Sequence, residues 1–196
     1  MFVLPTARLT LTDFLPSDTN AYLAMAQDQK YQRFYSEQDC SEQTMRDLVT
    51  LFVEQSRELP RTKYQLAIRL APRADPVSPL IGTAGLRIDD KGDASVGCGL
   101  LRACHGQGIA EEAMIGLVNF GFEELGIHRV YAETLAANKA AIALCRRLGM
   151  IEAQRLHAHR YFKGRSWDAV TMEMDLSRWK KTGLSFAAPG CGMNLT

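Results

Sequence analysis

The chain has 196 residues, 46% of them hydrophobic and 23% charged, with a formal net charge of +1. That length suits one domain with a substantial core, and the near-neutral balance gives no global argument for nucleic acid or a membrane surface. Five scattered cysteines lack metal-site spacing, and neither a secretory signal nor an apolar run of membrane-spanning length is visible, so a cytoplasmic protein without a metal is expected.

Residues 7–14 read as a first strand, with Leu9 and Leu11 alternating against threonines. Asp18 is placed to cap a short helix running to Met25. Ser41 opens a longer helix, where Met45, Leu48, Val49, Phe52 and Val53 form one apolar stripe and Pro60 lies beyond the end. Lys63–Leu70 and Leu80–Ile88 are strand-like runs split by a proline-rich turn, and Asp89-Asp90-Lys91-Gly92-Asp93 turns the chain into a third strand over 94–101. The pattern then becomes helical over 108–124, with Ala110, Met114, Leu117, Val118 and Phe122 on one side. A short strand over 129–134 follows, then a helix over 138–148 ended by Gly149. A strand–helix–strand unit of this kind implies a parallel pairing. Ile151–Phe162 and residues 166–176 read as a hairpin about Lys163-Gly164-Arg165. A single domain over 1–179 is expected. The tail, 180–196, has no periodicity and reads either as a flexible end or as a strap against a second copy, which would make a homodimer.

The most informative stretch is His105-Gly106-Gln107-Gly108-Ile109-Ala110-Glu111-Glu112-Ala113. It sets two glycines at a helix start directly after an apolar strand. N–H groups there have no intrahelical partner and bind anions, and glycine lets a phosphate approach the main chain. A P-loop would need Gly-Lys-Ser/Thr where this chain has Gly108-Ile109-Ala110, which argues strongly against it. A dinucleotide-binding turn needs a third glycine where Glu111 stands, although Glu133 near the end of the next strand would suit its acidic position.

Residues 97–150 resemble motifs A and B of the GCN5-related N-acetyltransferases, in particular the branch of ribosomal-protein N-terminal acetyltransferases. Outside that span, Thr6-Ala7-Arg8-Leu9-Thr10-Leu11 resembles the branch's opening strand. Asn138-Lys139-Ala140-Ala141-Ile142-Ala143-Leu144 with Arg147-Leu148-Gly149-Met150 resembles its late helix, and Lys163-Gly164-Arg165-Ser166-Trp167-Asp168 its closing hairpin. The resemblance implies an α/β (α+β) fold with a mixed sheet of six to seven strands and helices on both faces. It also implies acetyl-coenzyme A (acetyl-CoA) as co-substrate, with transfer to an amine by direct attack in a ternary complex. Main-chain N–H groups of Gly106, Gln107, Gly108, Ile109 and Ala110 would take the pyrophosphate. The main chain near Leu100, Leu101 and Arg102 would pair with the pantetheine arm. Asn138 would lie near the cofactor, besides its local role as a helix cap, and Arg146 would approach the phosphates.

Attack by an amine requires the neutral base. A lysine-like acceptor, with a pKa near ~10.4, therefore depends on a general base more than a protein α-amino group near ~7.7–8 does. Here the chain departs from its relatives. Ser95 stands where many have a carboxylate, Ala141 where a serine is common, and His105 where the branch often has tryptophan. Glu133 is the remaining candidate base, with an ordinary solvated carboxylate as the alternative. Cys145 is the candidate acid, with a buried structural thiol as the alternative. Residues 101–165 carry nine basic and six acidic side chains, which suits an anionic cofactor. Residues 1–60 carry nine acidic and five basic, which suits a cationic acceptor, a protein N-terminus or a small amine. Tyr31, Phe34 and Tyr35 beside Glu37 and Asp39 are candidates for the acceptor groove. His157-x-His159 is the one close histidine pair and lacks a third ligand for zinc. The reading from another class is a coenzyme A-binding module whose catalysis has decayed, motivated by Ser95 and Ala141.

Overall fold

The computed structural model of the chain describes residues 1–71 and 78–184. Its strands are β1 (Val3–Pro5), β2 (Leu9–Asp13), β3 (Lys63–Leu70), β4 (Leu80–Ile88), β5 (Ala94–Leu100), β6 (Arg129–Leu135), β7 (Ile151–Phe162) and β8 (Arg165–Asp175). Its helices are α1 (Thr19–Ala26), α2 (Gln29–Gln32), α3 (Glu42–Gln55), α4 (Ile109–Glu123), α5 (Lys139–Arg147) and α6 (Leu176–Thr182). The strands make one sheet in the order β1-β2-β3-β4-β5-β6-β8-β7. Eight strands exceed the expected six to seven. The strand expected over 7–14 is β2, and the extra one is β1, which precedes it and, three residues long and ended by Pro5, is too short to show alternation.

All neighbouring strands are antiparallel except β5 and β6. That parallel pair is joined only at Ala94 with Val130 and Ser95 with Tyr131. Beyond it β5 stays with β4 as far as Leu100 opposite Gly82, and β6 stays with β8 as far as Leu135 opposite Ala169. The sheet therefore parts along its middle, and the outer half of β5 presents an unpaired main-chain edge.

Helices pack on both faces. Under α4, Leu9, Leu11, Leu66, Ile68 and Leu86 meet Ala113, Leu117 and Val118, all fully buried. On the other face, Met45, Val49 and Phe52 of α3 join Phe14, Tyr22 and Met25. Each buried Val, Leu, Ile, Phe or Met side chain among them contributes about 1.5–3 kcal/mol by leaving water. The cap of α3 forms as its sequence implies, with Ser41 Oγ accepting from the Thr44 N–H at 3.2 Å. Asp18 precedes α1 without capping it. Its carboxylate accepts from the Leu15 N–H and pairs with buried Arg69 at 2.7 Å.

Helix α6 crosses the expected boundary at 179. Asp175 caps it through the Arg178 N–H, and Trp179 is buried beside Phe122, which anchors residues read as aperiodic. The rest of the expected strap, 185–196, lies outside the described residues. Among the described residues, no helix is long and apolar enough to cross a membrane.

Candidate active site

The parted strands open a cleft of about 750 Å³. One wall is β5 from Val96 to Leu100 and the other is Ala132, Glu133 and Thr134 of β6. The glycine turn, the first turn of α4, Asn138 and the inner face of α5 also line it, as do Tyr31, Phe34 and Tyr35.

At the turn, Gly106 and Gly108 have φ of +75° and +74°, the left-handed region that side-chain-bearing residues avoid. The first helical hydrogen bond is donated by the Glu112 N–H to the Gly108 carbonyl. Among the described residues, the N–H groups of residues 106–110 donate to no main-chain carbonyl. These donors gather at the positive end of a 15-residue helix, and four of the five residues, Gly106, Gly108, Ile109 and Ala110, line the cleft. A Cβ built at Gly97 or Gly106 would meet nothing within 4 Å, so the wall and the turn both leave room for a ligand.

The turn is held from the far end of the sheet. Glu112, on α4, is buried and accepts from Thr6 Oγ1 at 2.6 Å, from the Arg8 N–H at 2.7 Å and from Arg8 Nε at 2.6 Å. Burial pushes the Glu112 carboxyl up, but the hydrogen bonds from Thr6 and Arg8, with the Arg8 charge, outweigh it and hold the group below the usual carboxylate range. Arg8 Nη1 also donates to the Gln107 carbonyl at 3.1 Å. Sequence reading missed this clamp, because its halves lie more than a hundred residues apart.

Of the expected cofactor contacts, Leu100, Gly106, Gly108, Ile109, Ala110 and Asn138 line the cleft. Asn138 caps α5, its Oδ1 accepting from the Ala141 N–H at 3.2 Å. Leu101 donates its N–H to the Ile81 carbonyl and packs against the apolar cluster on the α1 and α3 face. Arg102 points to Asp28. Gln107 is outside the lining, its amide folded onto the Ala103 carbonyl. Arg146 is exposed and also outside it. The next residue, Arg147, faces the cleft, because each step along a helix turns the side chain by about 100°.

Both candidate proton carriers line the cleft. Burial pushes the Cys145 thiol up to about 11, so it is a neutral donor near pH 7. Glu133 accepts from Arg160 Nη2 at 2.6 Å, with His159 at 3.9 Å. The pairing needs the break in register between Leu156 and Arg160, where Ala158 has a φ of +50°. The two other carboxylates of the lining are also engaged, Asp28 with Arg102 at 3.8 Å and Glu111 with Arg147 at 2.7 Å. His105 lays Nε2 against the Leu100 carbonyl at 3.1 Å. Tyr31 and Tyr35 stack with ring centroids 4.6 Å apart, and burial raises both phenols, keeping them neutral. Glu37 and Asp39 lie outside the lining, Asp39 capping a local turn through the Ser36 N–H. His157 faces Asp168, and His159 faces Glu133.

Comparison with known proteins bears on the same residues. A family model described as an acetyltransferase (GNAT) domain matches residues 8–151. The chain is 27% identical over 179 residues to an N-acetyltransferase of Bacillus licheniformis called p20, itself described as uncharacterized, covering 89% of this chain and 96% of that one. Among solved structures, Mycobacterium smegmatis RimJ in complex with CoA-disulfide has a TM-score of 0.74 at 15% identity, covering 92% of this chain and 94% of RimJ. Spermidine N-acetyltransferase from Vibrio cholerae, in complex with CoA and spermine, has a TM-score of 0.71 at 18% identity, covering 88% and 98%. At these identities the structural likeness is one of fold.

Proposed function

The chain belongs to the GNAT acetyltransferases, acetyl-CoA-dependent enzymes, and from that premise we propose that it acetylates a primary amine by direct attack in a ternary complex. The observation that carries this reading is the continuous cleft, lined by both an anion-binding turn and aromatic side chains. Acetyl-CoA supplies the activated acetyl group as a thioester.

The chain's own residues divide the remaining work. The N–H groups of residues 106–110 hold the pyrophosphate. The unpaired edge of β5 over 96–100 aligns the pantetheine arm, and its N–H groups stabilise negative charge developing on the carbonyl oxygen. Asn138 fixes the start of α5, and the neutral thiol of Cys145 passes a proton to the departing thiolate as it takes one from the attacking amine, because a thiol pushed up to about 11 is too weak an acid to protonate a cysteine-like thiolate near ~8.5 unaided. Holding both reactants in one cleft lowers the barrier by several kcal/mol.

The state of the carboxylates favours a protein N-terminus as acceptor. All three in the lining are engaged by arginine, so Glu133 acts as base only when Arg160 swings away. An α-amino group needs the least help, since it is substantially neutral near its pKa of ~7.7–8. The free thiols of Cys40, Cys98, Cys104 and Cys145 accord with a reducing cytoplasm. A second reading, a CoA-binding module without turnover, draws on the same neutralised carboxylates together with Ser95 and Ala141.

Thiol release from acetyl-CoA over a panel of N-terminal peptides, lysine-like amines and polyamines separates these readings. Turnover with peptides, rising with pH through about 8, supports the proposal. Cofactor binding without turnover of any acceptor supports the module.

A further inference from the structure

The cleft contains one cation at its phosphate end whose position indicates a task. Arg147, at the C-terminal end of α5, reaches across to the first turn of α4, where Glu111 Oε2 accepts from its Nε at 2.7 Å. It shares the lining with Gly106, Gly108 and Ala110, whose N–H groups are without main-chain acceptors. A guanidinium carries five N–H donors in a rigid fork that matches phosphate geometry. Glu111 takes the Nε edge, and neither Nη atom has a hydrogen-bond acceptor among the described residues. The side chain is 53% exposed, so those donors are accessible to a ligand while the carboxylate fixes the plane.

We infer that Arg147, held in place by Glu111, binds a phosphate group of the coenzyme A moiety through its Nη atoms and supplies side-chain recognition beside the main-chain donors of the turn. The inference rests on the reading of the cleft as a coenzyme A site. It assigns to Arg147 the contact that sequence alone gave to Arg146, which is exposed and outside the cleft. Glu111 is a positioning residue: it compensates the arginine when the cleft is empty and aims the fork when a phosphate arrives.

Isothermal titration of the full chain with coenzyme A, dephospho-coenzyme A and pantetheine tests this, using wild type, Arg147→Gln and Arg146→Gln. Both substitutions remove one charge from the same helix, so a general field effect would act on both. Arg147→Gln is expected to raise the Kd for coenzyme A about tenfold, the scale of one charge-assisted hydrogen bond, with Arg146→Gln within about twofold of wild type. Equal loss with dephospho-coenzyme A assigns the contact to the pyrophosphate, and loss confined to coenzyme A assigns it to the 3′-phosphate; either supports the inference. An unchanged Kd, an equal loss in Arg146→Gln, or an equal loss with pantetheine, which lacks every phosphate, overturns it. If Arg147→Gln does not fold, Arg147→Lys takes its place with an expected loss of about threefold, and an unchanged Kd there is again contrary. Failure of wild type to bind coenzyme A at all would instead remove the reading of the site itself.

Discussion

Removing the Glu112 carboxylate tests how the cofactor turn is held. In Glu112→Ala, Thr6 Oγ1 and the Arg8 N–H lose an acceptor that lies 2.6 and 2.7 Å away in a buried setting. The Thr6 bond is worth about 1 kcal/mol and the Arg8 N–H bond to a charged acceptor about 1.5–3 kcal/mol. The Arg8 guanidinium is more than half exposed, so its ion pair adds only ~0–1 kcal/mol. A destabilisation of about 3 kcal/mol follows, a fall in Tm of roughly 6–12 °C for a chain of this size. Urea unfolding at pH 7 should show a lower midpoint at an unchanged slope. The pH dependence has a definite sign. The folded-state pKa of Glu112 is depressed, so its stabilisation is fully present above the unfolded value near ~4.3 and is lost as pH falls through the lower folded value. The gap between wild type and variant should therefore narrow below about pH 4. A loss under about 1 kcal/mol at pH 7, or a gap of constant size from pH 7 to pH 3, would refute the clamp.

Other perturbations act on the cleft directly. Gly108→Glu places an acidic side chain at a left-handed position of the phosphate turn, and calorimetric titration should detect no coenzyme A binding while circular dichroism still reports a folded chain; near-normal affinity would move the site elsewhere. Asn138→Ala removes the cap on the Ala141 N–H and should cost about 1 kcal/mol in urea unfolding, whereas an unchanged midpoint would show that the cap contributes nothing. With its thiol pushed up to about 11, Cys145 should resist iodoacetamide at pH 8 in the native protein, and peptide mapping that finds it among the fast-labelled cysteines would contradict its burial.

Local signals carried most of the architecture. Lys63–Leu70 and Leu80–Ile88 keep the expected bounds because their apolar runs are closed by turn residues on both sides. The two glycines at the mouth of α4 marked the phosphate end because positive φ and close approach both demand glycine. What stayed hidden was long-range or depended on helix phase. Asp18 looked like a cap, but its partner Arg69 lies on β3, 51 residues away. Glu133 looked like a base until a break in β7 brought Arg160 onto it. Arg146 and Arg147 are chemically alike in the sequence, and only the rotation of α5 against α4 decides which of them enters the cleft. Helix α6 escaped notice because its single buried anchor, Trp179, gives no period.

A crystal structure of the protein with acetyl-CoA examines the proposed transfer site most directly. The pyrophosphate should lie within hydrogen-bond distance of the N–H groups of residues 106–110, with the pantetheine arm along β5 from Val96 to Leu100 and the acetyl carbonyl between β5 and β6. A cofactor bound outside the parted strands, or one that leaves the N–H groups of the Gly106–Gly108 turn without a phosphate partner, would contradict it.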